Sequence, residues 1–136
     1  MSRPSRSNCP YTFALDLFGD KWTLLILRDL IFFDKKYNSD FAESEEKIAT
    51  NILAERLARL KKKGLIKSSR DKKNGRKIVY SPTPKMLDLI PMMLEIIEWS
   101  AKHDPNTRVT KKQENILKRD KAGFAKSLRS KFEKYE

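Results

Sequence analysis

The sequence has one cysteine, one histidine and four glycines in 136 residues. A lone cysteine closes no disulfide within the chain, which suits a reducing cytoplasm. Cys9 and His103 lie nearly a chain length apart, and one of each cannot build a structural zinc site. Gly19, Gly64, Gly75 and Gly123 are too scattered for a loop that cradles phosphate. No apolar run reaches transmembrane length; Leu24 to Leu27 is stopped by Arg28 and Asp29. The N-terminal "MSRPSRSNCP" has arginines but no apolar stretch behind them, so it is not read as a secretory signal. These scarcities argue against an enzyme, a metal site, a bound cofactor and a membrane span.

Acidic residues are also scarce, but only in one part of the chain. The net charge is +12. Residues 1–60 hold nine Lys/Arg and nine Asp/Glu, whereas residues 61–136 hold twenty-one against nine. Between Lys61 and Lys85 the ratio is ten to one. Basic density of this kind attracts a polyanion, nucleic acid first and an anionic membrane surface second. The plainer reading is a solvated basic face.

Hydrophobic residues make up 39% of the chain, enough for one folded domain with a modest core. Asn8-Cys9-Pro10 opens a first helix running to about Phe18 and ending at Gly19. Asp20 caps "KWTLLILRDLIFF", with Trp22, Leu25, Ile26, Leu30 and Phe33 on one face and apolar residues nearly all round, so this helix should be buried. "DKKYNSDFAES" reads as a turn and a short helix, and "ESEEK" as a charged connection. In "IATNILAERLARLKKKGLIKSS", Leu53, Leu57 and Leu60 form a helical stripe, which leaves Thr50, Asn51, Ala54, Glu55 and Ala58 on the opposite side. The cations Lys61 to Lys63 suit the end of a helix, and Gly64 suits a left-handed cap.

Two strand-like runs then flank Asn74-Gly75, a strong hairpin signal. The tip, with Lys72, Lys73, Arg76 and Lys77, is basic. One or two lysines could serve only to protect a strand edge, but four in a cluster exceed that need. "KMLDLIPMMLEIIEWSAKHD" is a second apolar helical segment, started or kinked at Pro91, with apolar residues on more than one face. That surplus calls for a partner such as a second copy of the chain. From Thr110 an amphipathic helix carries Leu117, Phe124, Leu128 and Phe132 on one side, and Gly123 weakens it by about 1 kcal/mol relative to alanine.

The order of helix, short helix, helix and basic hairpin predicts a mainly α fold with a small β-hairpin wing, a winged helix-turn-helix. A helix with an exposed polar side fits the major groove, and a basic hairpin fits the backbone or minor groove. The candidate DNA contacts are Lys21, Lys36, Thr50, Asn51, Glu55, Arg56, Lys72, Lys73, Arg76 and Lys77. Asn suits adenine and Glu suits cytosine; against the alternative of cap and solvent residues, Thr50 and Asn51 are read as base or phosphate contacts, while Glu55 fits either reading. Arg56 could meet phosphate or pair with a nearby acid. Trp22 reads as core, and His103 as an exposed residue after a helix. The competing function on the same fold is a basic RNA-binding or ribosome-associated module.

The sequence also resembles the HxlR-type bacterial transcriptional regulators over about residues 9–103. The resemblance rests on Cys9-Pro10, "LDLFGDKWTLLILRDL" from Leu15 to Leu30, "KKYN" from Lys35 to Asn38, "IATNILAERLARLKKKGLI" from Ile48 to Ile66, "IVYSPT", and Glu98-Trp99. It implies a dimeric, cytoplasmic regulator of double-stranded DNA, joined through its first helix and the helices after the wing. Three domain segments are expected: an N-terminal arm over 1–8, a DNA-binding and dimerisation domain over 9–103, and a basic helical extension over 104–136. Ala49 departs from the family, where serine is common, leaving Thr50 as the candidate cap. The loop "SDFAESEEK" differs in length by about a residue, and the tail beyond Asp104 is longer than is typical. Cysteine before this proline senses oxidants or electrophiles in some members, and a helix-start thiol has a lowered pKa. Cys9 is therefore a candidate redox sensor, against the alternative of an unreactive packing residue.

Overall fold

A computed structural model of the chain describes residues 6–133. The expected N-terminal arm lies, up to residue 5, outside the described residues. The helices are α1 (Pro10–Phe18), α2 (Thr23–Phe32), α3 (Asn38–Ala42), α4 (Thr50–Lys62), α5 (Pro84–Leu87), α6 (Ile90–His103) and α7 (Lys111–Glu133). Strands β1 (Ile66–Arg70) and β2 (Ile78–Pro82) pair as an antiparallel hairpin between α4 and α5. The chain divides into two compact units, residues 1–81 and residues 82–136.

In the first unit, α2 carries much of the core. Ile26, Leu27, Leu30 and Ile31 are buried, as are Phe41 of α3 and Leu53, Leu57 and Leu60 of α4. The buried face of α2 is rotated from the expected one, since Phe33 is 57% exposed while Leu27 and Ile31 are fully covered. A helix that is apolar nearly all round carries no periodic signal to choose its inner face. Asp29 is also buried, and its carboxylate meets Arg28 at 2.9 Å and Lys35 at 3.5 Å. A carboxylate removed from water needs such partners.

The stripe of Leu53, Leu57 and Leu60 ends where the sequence says it should. Gly64 has φ +78°. Its N–H donates to the Lys61 carbonyl at 3.1 Å, and the Leu65 N–H donates to the Leu60 carbonyl at 2.9 Å. This is the paired closure of a left-handed helix cap, and it delivers the chain directly into β1, against which α4 packs. A side chain at φ +78° is strained, and glycine avoids that cost.

In the second unit, α5 starts at Pro84 with the Thr83 hydroxyl accepting from the Met86 N–H, and α6 starts at Ile90 with Pro91 in its first turn. Pro91 therefore begins a helix and does not kink one. Met86, Leu87, Ile90, Met93, Leu94 and Leu117 are buried. Helix α7 packs along α6, so part of the apolar surplus of α6 is covered by its own chain. Trp99 stays 67% exposed and Ile96 43% exposed. The start of α7 is a reciprocal cap: Thr110 Oγ1 accepts from the Gln113 N–H at 3.1 Å, and Gln113 Oε1 accepts from the Thr110 N–H at 2.9 Å. The weak point of α7 is Asp120, at φ −154° and ψ 72°, whose carboxylate accepts from the Gly123 N–H at 2.9 Å. Asp120 thus interrupts one helix and caps the next, and Gly123 leaves room for that carboxylate.

Candidate nucleic-acid interface

Burial of the leucine stripe turns the other side of α4 outward. Thr50, Asn51, Ala54, Glu55 and Ala58 are all exposed. The cap position is Ala49, which has no side-chain acceptor, and no side chain caps the start of the helix, so Thr50 does not substitute. The approach to this helix is held from α2. Arg28 reaches Glu46 with Nη1 at 2.8 Å and Nη2 at 2.9 Å, and also donates to Ser44. These guanidinium bonds, aided by the Ser44 hydroxyl and opposed by partial burial, bring the Glu46 carboxyl down to about 2. Next to it Lys47 takes φ +58°, an uncommon backbone for a side-chain-bearing residue, with its N–H on the Ser44 carbonyl.

Arg56, a candidate phosphate contact, is half-buried and already engaged. Its Nε donates to Asp20 at 2.8 Å, and its Nη1 is bonded to Glu55. Arg59 donates to the other Asp20 oxygen at 2.9 Å and to Thr23 at 3.1 Å. Asp20 also accepts from the Trp22 and Thr23 N–H groups and from the Thr23 hydroxyl. Partial burial works to raise its pKa, but hydrogen bonds from Thr23 and Arg56 win and hold the carboxyl well below its ordinary range. One carboxylate thus caps α2 and ties α4 to it. The cap is legible in the sequence, but the clamp joins residues 36 and 39 positions apart and leaves no local signal.

Lys72, Lys73, Arg76 and Lys77 are exposed around the hairpin tip. The tip is wider than the expected Asn-Gly turn. Its loop spans 71–77, closed by the Asp71 N–H on the Lys77 carbonyl at 2.9 Å, and neither Asn74 nor Gly75 has positive φ. A two-residue turn of the expected kind needs positive φ at both. The one acid in the tip is hydrogen-bonded internally. Asp71 accepts from the Tyr37 hydroxyl at 2.6 Å and from the Lys73 N–H at 3.1 Å. That first bond, with desolvation and the Asp71 charge, raises the Tyr37 pKa; the same bond and the Lys73 N–H lower that of Asp71 against desolvation. The Tyr80 N–H donates to the Lys36 carbonyl at 2.8 Å, so the hairpin is fastened to the start of α3 at two points. The ammonium of Lys77 lies 4.8 Å from the Tyr37 ring centre, and that of Lys36 lies 5.4 Å from it. Lys21 is exposed, with its ammonium 5.0 Å from the ring of Trp22.

Cys9 occupies the cap position of α1 and is exposed. The N–H groups of Thr12 and then Tyr11 favour its thiolate and lower its pKa. Among the described residues no group of three or more His, Cys, Asp and Glu is placed to hold a metal ion. No helix among them is long and apolar enough to cross a membrane.

A sequence profile described as HxlR-like helix-turn-helix matches residues 17–108. The chain belongs to that family. It is 32% identical over 95 residues to the uncharacterized HTH-type transcriptional regulator YdeP of Bacillus subtilis, covering 70% of this chain and 73% of that one. Among solved structures it is similar to PA1607, a candidate transcription factor, at 30% identity and a TM-score of 0.69, over 78% of this chain and 74% of that one. It is also similar to the redox regulator HypR in its oxidized form, at 27% identity and a TM-score of 0.61, over 70% and 97% of the two chains. As a member of the HxlR-like family the chain is a DNA-binding transcriptional regulator with a winged-helix fold, and it is not an enzyme. The profile ends before α7 begins.

Proposed function

We propose that this HxlR-like regulator works in the cytoplasm as a homodimer, with α4 in the major groove of double-stranded DNA and the basic wing on the backbone or minor groove. The observation that carries the reading is the polar row of Thr50, Asn51 and Glu55, exposed on a helix whose opposite side is locked into the core. Thr50 and Asn51 read base edges or adjacent phosphates, and Glu55 also steadies Arg56. Lys21, Lys36 and the four tip cations supply sequence-independent attraction. Arg56 acts mainly through Asp20, because its guanidinium is already spoken for. The DNA-binding and dimerisation domain is assigned to residues 9–103, with a basic extension over 104–136.

The dimer is supported by α1, which has nine residues and none buried. Tyr11 is 78% exposed and Phe13 63% exposed. A short apolar helix left this open gains little from its own chain and calls for a partner surface. Trp99 and Ile96 offer a second such surface on α6. A two-fold dimer reads an inverted repeat with half-sites about 34 Å apart. Selection of bound duplexes from a random pool should return such a repeat, occupied by two chains. On that duplex Asn51→Ala should cost about 1–3 kcal/mol, and much less on random DNA. Equal losses on both would make Asn51 a positioning residue only. Preferential recovery of single-stranded or structured RNA would favour the RNA-binding alternative.

A second reading concerns control. Cys9 combines exposure with a stabilised thiolate, and HypR, to which the chain is similar, is a redox regulator. Two Cys9 thiolates on paired chains would give up two electrons to an oxidant and join as a disulfide, or one would attack a small disulfide, forming a mixed disulfide and releasing the other half as a thiolate. Either change beside α1 alters the spacing of the two α4 helices. Diamide should weaken operator binding by wild type and leave Cys9→Ser unchanged. Equal responses in the two proteins would leave Cys9 as a packing residue.

A further inference from the structure

Helix α7 lies beyond the region shared with the family, and it sorts its charges by face. Lys121 is ion-paired with both Glu95 and Glu98 of α6. Arg129 is paired with Asp88 at 2.7 Å and with Glu133 at 2.8 Å. The apolar side, with Leu117 buried and Phe124, Leu128 and Phe132 half-buried, faces inward with them. Lys112, Lys118, Arg119 and Lys126 are exposed, and none has an acidic partner among the described residues. Lys112 and Arg119 stand seven residues, two helical turns, apart ahead of the break at Asp120, and Lys126 lies on the stretch after it. The acids of α7 are all otherwise engaged: Glu114 meets Lys111, Asp120 caps the Gly123 N–H, and Glu133 meets Arg129.

The outer face therefore carries four unpaired cations, against two exposed acids, Asp120 and Glu133, that are each already bonded. A face kept merely for solubility mixes both signs. A membrane-surface helix needs large apolar residues beside its cations. None of the large exposed hydrophobic residues lies on α7. A surplus of unpaired cations without apolar wedges suits the phosphates of a nucleic-acid duplex. We propose that the outer face of α7, through Lys112, Lys118, Arg119 and Lys126, binds the phosphates of duplex DNA flanking the sequence read by α4. This rests on the DNA-binding reading above. It gives the extension a function of its own, which is to lengthen the occupied site without adding base specificity.

The test compares two duplexes carrying the same selected core, one of about two helical turns and one of about five. The full-length chain is compared with the variant Lys112→Gln, Lys118→Gln, Arg119→Gln, Lys126→Gln. Wild type should bind the long duplex at least about ten-fold more tightly at low salt, and the variant should lose that advantage while matching wild type on the short duplex. Its salt slope on the long duplex should fall by up to about 3.6 per chain, at about 0.9 for each phosphate contact. Equal losses on both duplexes would overturn the proposal in favour of a diffuse field. No loss on either would overturn it outright. Vesicles rich in phosphatidylserine form the control arm; binding to them that the variant loses, with DNA unaffected, would reassign the face to a membrane. Failure of wild type to bind either duplex would instead strike at the DNA reading itself.

Discussion

Replacing Lys72, Lys73, Arg76 and Lys77 together by alanine should lower affinity for every duplex and flatten its salt dependence. Four lost phosphate contacts reduce the slope by about 3.6 per chain. Raising salt fourfold, from about 50 to about 200 mM, should then weaken wild type about 150-fold more than the variant for each chain engaged. The expectation depends on the wing arriving as a fixed body. A two-stranded hairpin is marginal alone. Here its closing residue Asp71 is held by the Tyr37 hydroxyl, and its second strand by the bond from Tyr80 to Lys36. Discrimination between preferred and random sequence should survive, because it belongs to α4. An unchanged salt slope would remove the wing from the interface.

The elements that were legible in the sequence are those with a local cause. Leu53, Leu57 and Leu60 repeat at helical spacing, and Gly64 follows the last cations, so both the inner face and the end of α4 can be read directly. The hairpin is legible from its flanking strands, but its turn is not. Asn74 uses its side chain on the Arg76 N–H and its carbonyl on the Lys77 N–H, within a loop closed from Asp71. The residue that closes that loop is held through its carboxylate by Tyr37, 34 residues earlier. In α7 the amphipathic stripe was visible and Gly123 was read as a weak point, but the break at Asp120 was not foreseen, because an aspartate can leave the helix and cap its continuation. The outward residues of α4 could be named from the stripe alone. The involvement of Arg56 in a clamp could not, since the sequence offers several acids and only folding selects Asp20.

That clamp carries the other large expected effect. Asp20→Ala removes the acceptor for two backbone N–H groups at the start of α2 and strands Arg56 and Arg59 together. Loss of a cap costs about 1 kcal/mol, and charge-assisted bonds add to it, less the screening of a partly exposed site; a total of about 2–4 kcal/mol follows. Asp20→Asn keeps an oxygen for the backbone and removes the charge, and should cost about 1–2 kcal/mol. The two losses separate capping from clamping. The pH dependence follows from the sign of the shift. The folded pKa of Asp20 is lowered, so its contribution is complete above the unfolded value near 4 and is lost as pH falls toward the folded value. Asparagine does not titrate. The stability gap between wild type and Asp20→Asn should therefore be widest at neutral pH and close progressively below about pH 4. Urea unfolding at pH 7 and at successive steps down to about pH 3 measures it directly. Because the clamp sets how α4 is carried on α2, Asp20→Asn should also blur the preference for the selected operator while it remains folded. A gap that stays constant across the acid range, or an operator preference equal to that of wild type, would reduce Asp20 to an ordinary helix cap.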